Sequence, residues 1–365
     1  MVKGKSLMWA LMVCCTLVSA SVLAADWGLK KGEVELQSAG QLTFGPDGIL
    51  IVGDPKAATI YAVDTGVSSG NPAEVKLKVE GLTKQIAAAI EADSVSIVDM
   101  AVNPTSGDVY FSVSTGDGAA LARLSPDGKI TRVDTKEVAH SKVTLPNAPE
   151  DKITGEGRRR GNKRLQSITD IAYVDNKVLV SGLSSADSPS TVREIPFPFL
   201  EADPGVSLEI YHAAHGRTED YAPIQTFVPF NIDGEPNVLA GFTCTPLVKF
   251  PVKELTKGER IQGTTVAELG NRNRPLDTIV YEKDGKRFLL MANSARGVMK
   301  ISTEGIEKNK GLNERVGGGG TAGQPYETIE ALTGVVQLDK LNDTSAVVVA
   351  ETDGGAVNLS TVALP

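Results

Sequence analysis

Short apolar runs separated by turns rich in glycine and proline recur along most of the chain. The first clear unit lies in residues 40–64, with apolar runs at residues 41–44, 49–52 and 59–63. Residues 45–48, Gly-Pro-Asp-Gly, separate the first two runs, and proline and glycine supply the backbone angles that a tight turn needs. Runs rich in Val, Ile, Phe and Tyr between such turns predict β-strands. This unit therefore predicts three short strands.

The pattern recurs at intervals of about 40 to 50 residues, which is typical of the blades of a β-propeller. The outer strand of the first blade is predicted at residues 74–79, where lysine alternates with apolar residues as on a half-exposed edge. Five further groups of strand-like runs predict blades two to six, in residues 96–133, 168–211, 224–250, 276–301 and 334–362.

The last predicted blade lacks an outer strand, whereas one strand near the N-terminus has no blade of its own. That strand is Gly-Glu-Val-Glu-Leu-Gln at residues 32–37. If it completes the last blade, the ring closes by ordinary backbone pairing and exposes no long sheet edge. We therefore predict an all-β fold, a six-bladed β-propeller closed by an N-terminal strand that completes the last blade.

Four connections are longer than the others. They are a short amphipathic helix that Thr83 is predicted to cap, and residues 136–166, 213–223 and 304–330. In a propeller, connections from an outer strand to the next inner strand, and from the second strand to the third, lie on one face around the central channel. All four insertions are predicted to share that face, and loops held by a rigid scaffold commonly carry function. This insertion-bearing face is the predicted site.

Residues 1–24 have the pattern of an export signal. Lys3 and Lys5 precede an apolar run at residues 7–18, and Val-Leu-Ala at residues 22–24 suits signal-peptidase cleavage. A retained membrane anchor is the alternative, which the serine and alanine residues near the end of the run disfavour. We therefore expect a mature propeller of residues 25–365, periplasmic or secreted, with no membrane attachment after cleavage.

Composition limits the partners of this mature chain. Removal of Lys3 and Lys5 takes the formal net charge from −8 to −10, so nucleic acid and anionic lipid are not expected partners. Cys244 is the one cysteine that remains after cleavage, so no internal disulfide can form even in an oxidising compartment. Stability must come from packing and sheet pairing.

The repeating unit resembles a known group of propellers. The residues that carry the resemblance are Gly-Pro-Asp-Gly-Ile-Leu-Ile-Val-Gly-Asp at 45–54, Val-Asp-Met-Ala-Val-Asn-Pro at 98–104 and Asp-Val-Tyr-Phe at 108–111. They are similar to the six-bladed propellers of the NHL-repeat and gluconolactonase-like (strictosidine-synthase-like) superfamily, across nearly the whole mature chain. The lactonase branch would imply a divalent cation held at the central mouth by Glu, Asn and Asp residues. Propellers that dock quinone cofactors or display Trp-Asp repeats use tryptophan heavily. Only Trp27 follows the predicted leader, which disfavours both of these classes.

Arginine and histidine residues are frequent on the insertion-bearing face. The guanidinium group fits a carboxylate, phosphate or sulfate through two hydrogen bonds, so several around one opening would hold an anionic ligand. The alternative is that they pair with neighbouring Asp and Glu on a solvated surface. The predicted ligand contacts of this kind are Arg217, Arg274, Arg296 and His215.

Three aspartates are predicted to begin inner strands at equivalent positions. They are Asp99, Asp170 and Asp277, where Gln41 and Thr226 fill the same place in other blades. Carboxylates that converge on a channel are suitable ligands for Ca²⁺. The alternative is that each accepts backbone N–H bonds from an adjacent turn. No cofactor is assigned on this evidence, and Ca²⁺ at the central mouth is kept as the alternative.

Two further groups carry side chains suited to chemistry. His212 and His215 are suitable zinc ligands, but the sequence identifies no third ligand and contains no His-Glu-x-x-His, so no metal is assigned. Cys244 would act as a nucleophile only with a base such as His215 within reach, and a small buried thiol is the alternative.

We therefore predict an exported β-propeller that binds an anionic small molecule, a glycan or a protein partner on its insertion-bearing face, with Asp99, Asp170 and Asp277 ordering the mouth. No catalytic residue is assigned, because neither a Gly-x-Ser-x-Gly turn nor a Cys-x-x-Cys-His motif occurs. One alternative is a divalent-metal-dependent hydrolase of the lactonase kind, in which those aspartates hold the cation. Another alternative is a scaffold subunit of a periplasmic complex.

Overall fold

The structure is a computed structural model that describes residues 27–157, 160–255 and 260–365. The predicted leader at residues 1–24 lies outside these ranges. Within them the chain forms six β-sheets of four or more strands around a central channel, together with one separate two-stranded ribbon. The predicted all-β, six-bladed propeller is confirmed.

Blades 1 to 3 are built mainly from the first two thirds of the chain, and their strands are given from the channel outward. Blade 1 contains β2 (Leu42–Phe44), β3 (Ile49–Asp54), β4 (Thr59–Asp64), β10 (Val138–Thr144) and β1 (Lys30–Gly32). Blade 2 contains β6 (Val95–Val102), β7 (Val109–Thr115), β8 (Gly118–Leu124) and β9 (Ile130–Arg132). Blade 3 contains β13 (Asp170–Val174), β14 (Lys177–Leu183), β15 (Ser190–Pro196) and β16 (Val206–His212), and β16 also pairs with β17 (Arg217–Glu219) and β21 (Arg260–Gln262).

Blades 4 to 6 follow the same plan. Blade 4 contains β18 (Ile224–Ile232), β19 (Glu235–Phe242), β20 (Pro246–Pro251), β22 (Thr264–Glu268) and β26 (Ala322–Gly323). Blade 5 contains β23 (Pro275–Lys283), β24 (Lys286–Asn293), β25 (Gly297–Ser302) and β27 (Tyr326–Thr328). Blade 6 contains β28 (Val335–Lys340), β29 (Ser345–Glu351), β30 (Val357–Ala363) and β5 (Lys78–Val79).

Few described elements lie outside the blades. The ribbon consists of β11 (Ile153–Thr154) and β12 (Gly161–Asn162), and the α-helix α1 spans Leu82–Ala89. Short 3-10 helices lie at Pro46–Gly48, Pro72–Glu74, Lys163–Gln166, Val252–Glu254 and Glu330–Leu332. No helix in the described ranges is both long and apolar enough to cross a membrane.

The order of the blades around the ring differs from their order in the sequence. The innermost strand of blade 1, β2, packs against β6 of blade 2 on one side and against β13 of blade 3 on the other. β6 in turn packs against β28 of blade 6. The ring order is therefore 2–1–3–4–5–6, and blade 6 closes onto blade 2.

The hydrophobic core has the same arrangement. Six clusters of buried side chains lie one between each pair of neighbouring blades in this order. Ile51 of blade 1, for example, shares a cluster with Ile171 of blade 3, whereas Val109 of blade 2 shares one with Val347 of blade 6. Fully burying an aliphatic side chain of this kind stabilises a fold by about 1.5–3 kcal/mol. The inter-blade contacts therefore hold the ring together, as expected for a chain without an internal disulfide.

The predicted closure of the ring is wrong in the identity of the closing strand. β5 completes blade 6, with Val79 opposite Leu359 and Lys78 opposite Ser360. The N-terminal segment instead joins blade 1, where β1 pairs with β10 through Gly32 and Val138. The alternation of charged and apolar residues at 32–37 suits any half-exposed edge, so it could not distinguish the edge of blade 1 from that of blade 6.

Three related predictions also need correction. The outer strand of blade 1 is β10 and not residues 74–79, so part of the predicted insertion at residues 136–166 is a strand. The helix α1 begins after Gly81, whose φ of 63° is left-handed, and not at Thr83. The insertion at residues 304–330 was predicted to lie on the upper face, but it begins at the opposite face, where it leaves β25. It then runs along the outer edge of blade 4, and the Val316 N–H donates to the carbonyl of Ala213.

Candidate functional site

The upper end of the channel opens into a cavity of about 490 Å³ that we call the mouth. Here the inner strands begin, on the face that also carries α1 and the loop before β13. Amide side chains from three blades line the mouth, namely Gln41, Gln225 and Gln337. Its charged residues are Arg274 and Glu351. The mouth is thus a polar, largely neutral opening with a single cationic group.

Arg274 is positioned by two loops of blade 5. Its backbone N–H donates to Oγ of Ser294 at 2.9 Å, and its carbonyl accepts from the Ser294 N–H at 3.0 Å. These bonds fix the backbone immediately before β23. The Arg274 side chain is exposed, and its guanidinium group forms no hydrogen bond or ion pair with any described residue. Arg274 is therefore held at the mouth with its donors free for a ligand.

Two glutamine side chains at the mouth each present a buried amide oxygen. Nε2 of Gln337 donates to the carbonyl of Val98 at 2.8 Å, which orients the amide, but its Oε1 has no partner. Oε1 of Gln41 is likewise buried without a partner. A buried acceptor that is left unpaired costs about 1–3 kcal/mol. Both oxygens would therefore gain from a bound donor group.

The channel begins directly below the mouth, one residue further along each inner strand, and forms a cavity of about 280 Å³. The three predicted aspartates all line it, together with a fourth that sequence reasoning missed, Asp339. Each accepts a backbone N–H from the inner strand of a neighbouring blade. The distances are 2.6 Å from Leu42 to Asp99, 2.6 Å from Phe227 to Asp170, 2.9 Å from Leu338 to Asp277 and 2.7 Å from Val102 to Asp339.

Burial raises the pKa of all four channel carboxyl groups, and repulsion from neighbouring carboxylates adds to this effect for Asp99, Asp170 and Asp277. The pKa of Asp170 rises to about 8 through burial, with Asp277 contributing. The pKa of Asp339 rises to about 6 through burial. For Asp99 and Asp277 the pKa is well above the usual value, because each is buried and faces the other carboxylates. At neutral pH the channel therefore holds fewer than four negative charges.

The hydrogen bonds give the channel aspartates a structural role. In Asp170, Asp277 and Asp339 the second carboxyl oxygen also accepts a bond, from the N–H of the following residue. Ca²⁺ requires six to eight oxygen ligands, and here most carboxylate oxygens already serve the backbone. The predicted alternative that these side chains accept N–H groups is confirmed, although the donors belong to the neighbouring blade rather than to an adjacent turn.

Arg296 lies beside the mouth, in contact with the loop before β23. Its Nη2 donates to the carbonyl of Asn271 at 3.3 Å, and its buried Nε has no partner. The guanidinium group covers Gly270, where an added Cβ would lie 2.3 Å from Nη2. Gly270 is required there for that close approach, and its φ is 98°. Arg296 therefore supports the loop that carries Arg274.

Cys244 lies in the neighbouring loop between β19 and β20. Its φ is 66°, an uncommon value for a residue with a side chain, and its N–H donates to the carbonyl of Asn273 at 2.8 Å. The thiol is half-buried. Among the described contacts none joins Cys244 to His215. The base that Cys244 would need to act as a nucleophile is therefore not beside it. The loops of blades 4 and 5 are tied together at this point.

Arg217 and His215 lie elsewhere on the upper face, on the hairpin formed by β16 and β17. Both contact Glu219, through Nε of Arg217 at 2.9 Å and Nδ1 of His215 at 2.7 Å from Oε1. Nδ1 of His212 lies 2.8 Å from the other carboxylate oxygen. Burial favours a higher pKa for Glu219, but the hydrogen bonds from these three side chains outweigh it and lower the pKa to about 2. Arg217 also borders a separate cavity of about 590 Å³ that Tyr221 and Lys163 line.

The predicted ligand residues thus occupy separate places. Arg274 lies at the mouth with Arg296 behind it, the aspartates lie in the channel, and Arg217 and His215 lie on the β16–β17 hairpin. Glu219, Gln337 and Asp339 were missed. The alternation of β16 and β17 could have indicated Glu219, since the register that places His212 opposite Arg217 places Glu219 on the same face as His212.

Together the fold and the mouth define a six-bladed β-propeller with a polar opening at one end of its channel. No protein-family model matches the chain, and no curated protein matches it in sequence.

Several solved structures resemble this chain in fold but have low sequence identity to it. The PQQ-bound aldose sugar dehydrogenase from Streptomyces coelicolor is 11% identical, with 91% of this chain and 97% of that chain covered and a TM-score of 0.29. A putative oxidoreductase (glucose dehydrogenase) from Thermus thermophilus is 14% identical, with 92% and 100% covered and a TM-score of 0.35. An engineered GH43 glycoside hydrolase is 11% identical, with 71% and 48% covered and a TM-score of 0.35. These values carry no inference about the ligand or activity of the present chain.

Proposed function

We propose that this protein is an exported binding propeller whose mouth holds a small ligand that carries a carboxylate and several hydroxyl groups, such as a sugar acid. The observation that supports it most is the combination in one cavity of the unpaired Arg274 guanidinium group with the buried, unpaired amide oxygens of Gln41 and Gln337. Export to the periplasm or the exterior belongs to the proposal and rests on the leader at residues 1–24.

The mouth offers a partner both for the carboxylate and for the hydroxyl groups of such a ligand. A guanidinium group binds a carboxylate through two parallel hydrogen bonds, and bonds to charged groups contribute about 1.5–3 kcal/mol. The carboxylate of Glu351 accepts hydrogen bonds from hydroxyl groups, and so would the amide oxygens of Gln41 and Gln337 after a rotation that turns them towards the cavity. A cavity of about 490 Å³ is in the usual range for small-molecule sites.

The hydrolase alternative places a divalent cation among the channel aspartates. The backbone N–H groups that already bond to those oxygens argue against it, because a cation would have to share them. We therefore favour binding without catalysis. Ligand binding at the mouth is compatible with a protein partner on the same face, which would contact the insertions around it.

The proposal is tested by titration calorimetry with gluconate, glucuronate and galacturonate, each compared with its neutral sugar. We expect at least one acid to bind and its neutral counterpart to bind less tightly. Arg274→Ala should weaken acid binding by about 10- to 100-fold, as expected for the loss of a bidentate pair. Arg272→Ala is the matched control, because Arg272 lies in the same loop but does not line the mouth. Equal acid binding by the Arg274→Ala variant and the wild type, or no binding of any acid, would contradict the proposal.

A further inference from the structure

The hairpin of β16 and β17 brings together three side chains of the types that bind transition metals. They are His212, His215 and Glu219, and their ligand atoms all lie within 4.8 Å of one another. Zinc holds its nitrogen and oxygen ligands at about 2.0–2.2 Å in a tetrahedron, so two such ligand atoms lie about 3.3 Å apart. Small side-chain rotations are therefore enough to enclose an ion.

The local fold explains why residues three and seven positions apart meet. His212 ends β16, and the N–H groups of His215 and Gly216 both donate to its carbonyl, at 3.1 and 2.8 Å. This tight turn folds His215 back until the two imidazole ring centres are 3.9 Å apart. Glu219 returns along β17, and its two carboxylate oxygens bond to Nδ1 of His212 and of His215. Gly216 has a φ of 67°, which the turn requires.

Two buried polar atoms in and beside this cluster have no hydrogen-bond partner, which indicates a ligand site. The His212 side chain is 5% exposed, and its Nε2 is buried with no partner. Glu268 is fully buried, and one of its oxygens accepts from the Ala214 N–H of the same turn at 3.0 Å, while Oε1 has no partner. Arg217 already pairs with one Glu219 oxygen, so the unpaired atoms here are the buried His212 Nε2 and Glu268 Oε1. Buried polar atoms without a partner are costly, and a bound cation with its water would supply partners for both.

We propose that His212, His215 and Glu219 form a binding site for a divalent transition-metal ion of the zinc class. Two histidines and a carboxylate are a common ligand set for zinc, with a fourth position open to water or substrate. The His215 side chain is 44% exposed, so the ion has a path to solvent. Arg217 fixes one Glu219 oxygen from outside, in the manner of a residue that orients a ligand. The site is independent of the mouth and of the function proposed for it.

The test uses metal-depleted full-length protein titrated with Zn²⁺ by calorimetry, and with Co²⁺ as an absorbing substitute. We expect one ion per chain and the intense visible absorption of four-coordinate Co²⁺. His215→Gln should weaken binding at least about 100-fold, since even residues that only orient a ligand contribute 10- to 100-fold. Because His215 is partly exposed, this variant is expected to fold, which its circular dichroism would verify.

His140→Gln serves as the matched control, because His140 lies in β10 and belongs to no such cluster among the described residues. We expect it to bind one Zn²⁺ as the wild type does. Failure of the wild type to bind Zn²⁺, unchanged binding by His215→Gln, or equal loss in both histidine variants would each overturn the proposal.

Discussion

At the level of single residues, the first channel-lining position of each inner strand is an aspartate in alternate blades and a neutral residue in the others. Around the ring the residue at the start of the channel is Asp99, Gln41, Asp170, Thr226, Asp277 and Gln337 in turn. Each aspartate bonds to the blade that follows it, so the carboxylates are separated by neutral groups and three pairs of blades are joined. The sequence predicted these equivalent positions because they precede similar turns, such as those at Gly45-Pro46 and Asn103-Pro104. It could not predict the alternation or the raised pKa values, since both depend on ring order.

The raised pKa of Asp170 predicts how stability changes with pH. The unfolded carboxyl group ionises near pH 4, whereas in the folded protein its pKa is about 8. Between these values the unfolded state binds fewer protons than the folded one, so stability falls as pH rises from about 4 to 8. Asp170→Asn should be less stable at pH 5, because its amide NH₂ cannot accept both backbone N–H groups, but it should show a smaller decline towards pH 8.

Thermal unfolding followed at pH 5 and pH 8 measures this difference. Glu268, whose pKa burial raises to about 7, contributes in the same direction but is present in both proteins. The difference between the two proteins therefore reports on Asp170 together with Asp99, whose pKa the Asp170 charge raises. We expect the melting temperature of the wild type to fall by on the order of 2–5 °C more than that of the variant. An equal decline in the two proteins would show that Asp170 does not hold its proton.

At the level of elements, local pattern predicted the inner strands well and the outer strands poorly. The three inner strands of each blade are joined by short turns, and their apolar residues are contiguous in sequence. The outer strands β5, β26 and β27 are two or three residues long. β26 and β27 were not predicted, and β5 lies within the strand predicted at residues 74–79 but was assigned to the wrong blade. β5 pairs with a strand about 280 residues later, so only the closed ring reveals its place.

The attachment of β5 to blade 6 depends on a side chain as well as on backbone pairing. Oγ1 of Thr361 accepts from the N–H of Leu77 at 3.0 Å, and Leu77 is buried. Thr361→Val keeps the shape but leaves this N–H unpaired, which should cost about 1–3 kcal/mol of unfolding free energy. Thr361→Ser keeps the hydroxyl group and should cost much less. Urea denaturation measures both, and equal losses would show that the hydroxyl group is not the acceptor.

At the level of the whole molecule, ring order decides which distant residues share a site. Gln41, Val98, Arg274 and Gln337 line one mouth because blades 1, 2, 5 and 6 surround the same channel. Arg274 was predicted to contact a ligand because it precedes blade 5 on the insertion-bearing face. Glu219 was missed although the register of its hairpin could have indicated it. Glu268 could not be predicted, since its place depends on the packing of blade 4 against blade 3.

The central claim is that a ring in the order 2–1–3–4–5–6, closed by β5, creates the mouth. It is tested most directly by a disulfide between residues 78 and 360, with Cys14, Cys15 and Cys244 replaced by serine. Lys78 and Ser360 are directly opposite, and facing residues of antiparallel strands have Cα atoms about 4.5–5.5 Å apart, within the range of a disulfide. Lys78→Cys with Ser360→Cys should form the cross-link on mild oxidation, as read by mass spectrometry. A cross-link from Glu35→Cys to Ser360→Cys, with none from residue 78, would contradict the account.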